Sequence, residues 1–145
     1  MRSAYRVIAQ LIALGVVLQA SFIALAWFKV INDLDDGLVI DKDYDGNIGH
    51  TLHGIVGMNV MPLLGLILLV VAFFAKIEGG VKWAAFVLLA IIVQVALAFT
   101  AFGVPAVGAL HGINAFVVLV LAIITARRAA LTPATSTAAS EAAAV

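Results

Sequence analysis

Two histidines in this chain share a short motif. His53 lies in TLHGIVG, residues 51–57, and His111 lies in ALHGINA, residues 109–115, and both motifs sit within long apolar runs. Imidazole nitrogen is a common metal ligand, and an ionisable side chain within an apolar helix is a candidate functional residue. The repeated Leu-His-Gly therefore predicts two imidazoles at similar depth that face each other and bind one metal ion.

Small residues lie one helical turn beyond each of these histidines, Gly57 after His53 and Ala115 after His111. Many helical bundles hold a cofactor between ligands that project inward from facing helices. A flat macrocycle needs space beside its ligands, so the pattern favours haem with the two histidines as axial ligands. Two alternatives remain open: the imidazoles form structural hydrogen bonds to loop carbonyls, or they bind a different metal.

The third histidine, His50, precedes His53 by about one turn and lies on roughly the same helix face. Three roles remain open for it: a hydrogen bond to a haem propionate, service as an alternative iron ligand, or exposure to water. The polar segment before it also contains Lys29 and Lys42, which are candidate partners for propionate groups.

A paired glutamine accompanies the paired histidine. VVLQASFIALAWF, residues 16–28, resembles IIVQVALAFTAFG, residues 91–103, and the alignment pairs Gln19 with Gln94. Together with the two Leu-His-Gly motifs, this indicates two helical hairpins of related design. At 1.5 Å per residue both glutamines lie roughly 13 Å inside their apolar runs, near the middle of a bilayer. They either join the two segments by a hydrogen bond or line a cofactor cavity or a quinone path.

Four long apolar segments carry these residues. The 145 residues are 65% hydrophobic and 11% charged, whereas soluble domains are about half apolar and about a quarter charged. A helix needs about 20 apolar residues to cross a bilayer, and four segments have that length: about 5–28, 50–75, 83–103 and 108–125. The sequence predicts one all-α integral membrane domain over residues 1–130, a four-helix bundle surrounded by lipid.

The charged residues indicate how this bundle is oriented. Basic residues adjoin the chain termini and the loop after the second segment, which lie on one side of an even-numbered bundle: Arg2, Arg6, Lys76, Lys82, Arg127 and Arg128. Since basic residues favour the cytoplasmic side, we expect both termini in the cytoplasm and the acidic loop, residues 29–49, outside. The low-complexity residues 131–145 are expected to be a disordered tail.

The same composition excludes several classes of function. The net charge is zero, so there is no electrostatic basis for nucleic-acid binding. The chain has no cysteine, which excludes disulfides, thiolate catalysis and iron–sulfur clusters.

The acidic loop contains part of a calcium-binding pattern. Asp41, Asp43, Asp45 and Asn47 match four ligand positions of a calcium loop, but the position that should hold a bidentate glutamate is Leu52. Weak calcium binding is one interpretation. The other is a water-facing loop in which aspartate and glycine form turns before the next helix.

GHTLHGIVG, ALHGINAF and the later TARRA resemble a family of small, uncharacterised bacterial four-helix membrane proteins, which are similar to one half of haem A synthase. The resemblance covers residues 1–130. It implies a bacterial cytoplasmic membrane protein in which His53 and His111 are the axial ligands of one b-type haem. The chain departs from the synthase because it has one bundle, and because His50 occupies the position of a catalytic carboxylate.

We therefore expect a membrane b-type haem protein that acts in electron transfer or haem handling. Bis-histidine ligation fills both axial positions of the iron, which suits electron transfer rather than oxygen activation. The candidate partners are a redox partner or a quinone, and a second copy of the chain or a larger membrane complex. The alternatives are a cofactor-free accessory or scaffold subunit and, third, a haem-modifying oxidoreductase, so whether the chain is an enzyme stays open.

Overall fold

Each long apolar run forms a helical segment in the structure, a computed structural model that describes residues 1–131. The elements are α1 (Arg2–Asp35), α2 (Ile48–Ile55), a π-helical turn (Val56–Val60), α3 (Met61–Ala75), α4 (Gly80–Gly103) and α5 (Val107–Leu131). Because α2, the π turn and α3 are continuous, residues 1–131 contain four segments long and apolar enough to cross a membrane. This confirms the predicted all-helical class and the four long apolar helical segments, whereas nearly all of the predicted tail lies outside the described residues.

The helices extend beyond the apolar runs that predicted them. The first ends at Asp35, about two turns past its predicted end, and Lys29 forms an i,i+4 ion pair with Asp33 on this polar extension. The last continues to Leu131 through an alanine- and arginine-rich stretch of good helix formers. Hydropathy marks the part of a helix that lipid surrounds, so it does not detect these polar turns.

The four segments form a ring in which consecutive segments are neighbours. The first helix, α1, packs against α2, α3 and α5, and α4 packs against α3 and α5. Helices α1 and α4 therefore lie on one diagonal of the bundle. The histidine-bearing segments, the one from Ile48 to Ala75 and α5, lie on the other.

One end of the bundle is tightly packed. It is here called the terminal end and carries Met1, residues 76–79 and Leu131. Tyr5 is fully buried, and its hydroxyl donates a 2.8 Å hydrogen bond to the carbonyl oxygen of Gly80. The Arg128 guanidinium lies 4.6 Å from the ring centre of Trp83, a favourable cation–π distance. Fully buried Ile12, Leu68, Val87 and Val118 continue this core towards the middle of the bundle.

The opposite end, which carries residues 36–47 and 104–106, is here called the acidic-loop end. There α2 begins with a capping box, since the Asn47 side chain accepts from the Gly49 N–H and His50 Nδ1 accepts from the Asn47 N–H. The Asn47 amide also donates to the Ala26 carbonyl oxygen at 2.9 Å, which ties α2 to α1. Gly49 is essential to this contact, because a Cβ there would lie 2.6 Å from Ala26 N.

A π-helical turn interrupts the second segment one turn after His53. The Met61 N–H bonds to the Val56 carbonyl five residues back, and Pro62 follows at the start of α3. Proline lacks an N–H and crowds the preceding turn, which favours a local change of helix geometry. The distortion lies just before Pro62, between the turn that carries His53 and α3.

Candidate cofactor site between His53 and His111

The helices border a partly open cavity of about 760 Å³ in the half of the bundle nearer the acidic-loop end. Its polar lining comes mainly from Gln19, His53, Gln94 and His111, one residue from each of the four segments. The rest is largely apolar and includes Val16, Ile23, Met61, Val95, Ala98 and Leu119. Small-molecule and cofactor sites are typically apolar cavities of about 300–1,000 Å³ with a few placed polar groups, and this cavity has that character.

The two predicted ligands meet across this cavity. The ring centres of His53 and His111 are 6.2 Å apart, and the ring planes are inclined by 62°. A metal–imidazole bond of about 2 Å, plus about 1 Å from nitrogen to ring centre on each side, separates two axial rings by about 6 Å. The observed separation therefore matches that of two imidazoles bound to one metal ion from opposite sides.

Equivalent hydrogen bonds orient the two imidazoles. His53 Nδ1 lies 3.1 Å from the carbonyl oxygen of Gln19, and His111 Nδ1 lies 3.0 Å from the carbonyl oxygen of Gln94. A carbonyl oxygen can only accept, so each Nδ1 carries the proton and donates. Each Nε2 is then left with a lone pair, and this is how a second-shell carbonyl prepares a histidine to ligate a metal.

The Nε2 atoms of the two histidines have different surroundings. His111 Nε2 lies 3.2 Å from the side-chain amide nitrogen of Gln94. No hydrogen-bond partner of His53 Nε2 is found within residues 1–131. Gln94 is held in turn by Asn114, whose amide nitrogen donates to Gln94 Oε1 at 2.8 Å and to the Ala90 carbonyl oxygen at 2.9 Å.

The two glutamines line the cavity and do not join α1 to α4. Gln19 donates its amide N–H to the His53 carbonyl oxygen at 3.0 Å, while Gln94 interacts with His111 and Asn114. Both are therefore bonded to the neighbouring histidine-bearing segment, since α1 and α4 are diagonal. The Gln19 Oε1 atom is buried without a hydrogen-bond partner in the described part of the chain.

Gly57 and Ala115 both line the cavity, where the sequence predicted small residues beside a macrocycle. Gly57 has an additional role, because a Cβ at this position would collide with Gln19 Nε2. The missing side chain thus allows the Gln19 amide to reach the His53 carbonyl oxygen. Met61 and Trp27 also line the cavity, although no motif or spacing in the sequence groups them with the histidines.

His50 lies at the start of α2 and does not line the cavity. Its Nδ1 accepts from the Asn47 N–H, and its ring makes edge contacts with Trp27 and Tyr44 at centroid distances of 5.7 and 6.4 Å. In this position His50 is part of the N-terminal cap of α2. A bond to a propionate through Nε2 stays a prediction.

The acidic loop forms turns. The Asp41 side chain accepts from the Asp43 N–H at 2.9 Å, and Lys42 pairs with the Asp43 carboxylate at 3.0 Å. Among residues 1–131 no group of three or more histidine or acidic side chains is arranged to hold a metal ion. Calcium binding by Asp41, Asp43, Asp45 and Asn47 therefore has no support from the side-chain positions.

The two lysines named as propionate partners are both paired with aspartates on the exposed surface, Lys29 with Asp33 and Lys42 with Asp43. Neither lines the cavity. Their role towards a haem stays a prediction.

The chemistry that two imidazoles beside a largely apolar cavity could perform is ligation of one metal centre. The site contains no carboxylate and no nucleophile beside the histidines, as judged from the cavity lining. Comparisons of the chain with family models, with curated proteins and with solved structures gave no match. The resemblance to half of haem A synthase therefore stays a prediction, and the case for this site rests on its geometry.

Proposed function

We propose that this chain is a membrane haem protein in which His53 and His111 bind one b-type haem from opposite sides and electron transfer is its function. The observation that carries the proposal is the 6.2 Å separation of the two ring centres across an apolar cavity. The matching Nδ1 hydrogen bonds to Gln19 and Gln94 support it, because they leave a lone pair on each Nε2 atom. At His111 a metal would have to displace the Gln94 amide from that lone pair.

The residues present fit a haem in size and in chemistry. A cavity of about 760 Å³ bordered by Gly57, Gly112 and Ala115 leaves room for a macrocycle next to the ligands. The haem would supply a one-electron redox centre whose potential depends on its ligands and on burial. The chain would contribute two oriented imidazoles and a largely apolar lining. Two imidazole ligands would suit such a haem to electron transfer rather than to oxygen activation.

The charge distribution supports an orientation for this protein. Basic residues at the terminal end and six aspartates between residues 33 and 45 would place both termini in the cytoplasm and the haem near the outer face. In a bacterial cytoplasmic membrane, this position would expose the site to an external redox protein or to a membrane quinone. The proposed repeat of two hairpins is supported by the equivalent bonds from His53 to α1 and from His111 to α4.

Haem content is the direct test. The chain would be expressed in haem-replete bacteria, purified in detergent, and assayed for haem per chain together with its reduced-minus-oxidised spectrum. We expect about one haem per chain, lost in His53→Ala and in His111→Ala. His50→Ala is the matched control and should retain haem, because His50 caps α2 away from the cavity. A colourless wild-type protein, or equal haem content in all four proteins, would contradict the proposal.

A further inference from the structure

The side chains around His111 form a chain of hydrogen bonds with a fixed direction. The Ala90 carbonyl oxygen can only accept, so the Asn114 amide must present its NH₂ group there, at 2.9 Å. The same NH₂ group donates to Gln94 Oε1 at 2.8 Å. This identifies the accepting atom of the Gln94 amide as its oxygen. The Gln94 NH₂ group therefore points towards His111 Nε2, 3.2 Å away.

The hydrogen bond at Nδ1, on the other side of the His111 ring, requires the same direction of donation. Its Nδ1 lies 3.0 Å from the Gln94 carbonyl oxygen, so Nδ1 is the protonated nitrogen and Nε2 is the acceptor. Two backbone carbonyls, at Ala90 and Gln94, thus fix the tautomer from both sides. The lone pair that would bind a metal is already engaged by the Gln94 amide.

The His53 side of the cavity lacks this arrangement. Gln19 donates to the His53 backbone carbonyl instead of to the imidazole, at 3.0 Å. Val56 stands three residues after His53, at the position that Asn114 has relative to His111, so no amide orients Gln19. As a result, Gln19 Oε1 is unpaired, and His53 Nε2 carries no hydrogen bond within residues 1–131.

We infer that Gln94 and Asn114 make the two histidines unequal: His53 is the permanent ligand, and His111 is an exchangeable ligand that small diatomic molecules can replace. This inference rests on the proposed function. Binding of His111 to iron must break its bond to the Gln94 amide, whereas binding of His53 breaks no such bond. A net hydrogen bond is worth a factor of about 2 to 10 in an equilibrium constant, so the His111–iron bond is weaker by that factor.

The first test uses haem-free protein, so that it stands independently of the proposed function. Diethylpyrocarbonate modifies imidazoles at an available nitrogen lone pair, and peptide mass spectrometry gives the rate at each histidine. We expect His53 to react at least about 2-fold faster than His111, because only the latter is hydrogen-bonded at Nε2. Gln94→Leu should raise the relative rate at His111 by about 2- to 10-fold.

Two further variants separate the effect of Gln94 from a general disturbance. Gln10→Leu is the matched control and should leave the ratio of the two rates unchanged, because Gln10 is exposed on α1 and does not line the cavity. Asn114→Leu removes the group that orients Gln94 and should raise the His111 rate in the same direction as Gln94→Leu. Equal rates at the two histidines in wild type, or no change in Gln94→Leu, would overturn the inference.

The second test uses haem-loaded, reduced protein and carbon monoxide as the probe. Carbon monoxide must displace an axial ligand, so the wild-type protein should bind it, with loss of the His111 bond. In Gln94→Leu the competing hydrogen bond is gone, and carbon monoxide affinity should fall by about 2- to 10-fold, while Gln10→Leu stays at the wild-type value. An unchanged affinity in Gln94→Leu would contradict the inference. A protein that takes up no haem would defeat the proposed function, and the reaction rates would still decide whether the histidines are unequal.

Discussion

At the terminal end of the bundle, buried side chains fill the space between the helices, whereas near the acidic-loop end the same helices border a partly open cavity. Tyr5, Ile12 and Leu68 are fully buried in the packed half. In the other half, polar groups from all four segments face a common space of about 760 Å³. Protein interiors normally pack like organic crystals, so a cavity beside a dense core is a specific feature of this chain and not general looseness.

The difference indicates that the two halves of the bundle have different roles. The terminal end holds the helices together through close packing, the Tyr5 hydrogen bond and the contact of Arg128 with Trp83. The acidic-loop end uses backbone carbonyls to orient two histidines across the cavity. Substitutions in the packed half should therefore change stability, and substitutions around the cavity should change cofactor content.

The sharpest test of this division makes the same substitution at two positions of α5. Ala115 lines the cavity, whereas Ala122, two turns away, is fully buried in the packed half. Ala115→Phe should abolish haem binding by occupying the cavity, while the free energy of unfolding stays the same or rises by about 0.5–2 kcal/mol. Ala122→Phe should overpack the core, lower the free energy of unfolding by about 1–3 kcal/mol, and leave haem per folded chain unchanged.

Haem content and unfolding by sodium dodecyl sulfate titration measure the two effects in parallel. If both variants lost stability and haem equally, the two halves would be one cooperative unit and the proposed division would be wrong.

A second, smaller effect is expected where α2 crosses α1. A Cβ at Gly49 would lie 2.6 Å from Ala26 N and 2.7 Å from Ala26 Cα, and backbone atoms cannot rotate away. Gly49→Ala should therefore displace α2, cost about 1–3 kcal/mol of stability and reduce haem affinity, because His53 moves with the helix. Gly54→Ala is the control, since no atom lies within 4 Å of its added Cβ. Equal behaviour of the two variants would show that the crossing does not position His53.

The smallest effect concerns the hydroxyl of Tyr5. Tyr5→Phe removes the 2.8 Å bond to the Gly80 carbonyl oxygen and should lower the free energy of unfolding by about 1 kcal/mol, with no change in haem content. Tyr44→Phe in the acidic loop is the control and should stay within about 0.5 kcal/mol of wild type. A loss of haem in Tyr5→Phe would contradict the claim that substitutions in the packed half leave cofactor content unchanged.

Much of the fold was predictable because lipid imposes a simple rule. Each span must be apolar over about 20 residues, and four runs satisfied that rule. The exact ends were not predictable, since the polar turns up to Asp35 and the capping box at Asn47 depend on side-chain hydrogen bonds that hydropathy does not record. Pro62 signalled a distortion of the second segment, but not the π turn at Val56–Val60.

The site was predictable in part for a different reason. The spacing of His53 and His111 within matching motifs indicated their depth, and a four-helix ring sets their segments on one diagonal. The hydrogen-bond partners of Gln19 and Gln94 were harder to predict, because they depend on how each helix is rotated about its own axis. When the two motifs are aligned, Asn114 stands opposite Val56. The alignment alone does not reveal that Asn114 bonds to Gln94, which gives the two histidines different surroundings.

The central claim is that the two imidazoles ligate the same iron. Low-temperature electron paramagnetic resonance of the oxidised, haem-loaded protein tests it directly, because the spin state of ferric haem reports its axial ligands. The account predicts a low-spin signal of iron between two imidazoles in wild type and in His50→Ala, replaced by a high-spin signal or lost with the haem in His53→Ala and His111→Ala. A high-spin wild-type signal, or a low-spin signal that survives either of these two substitutions, would contradict it.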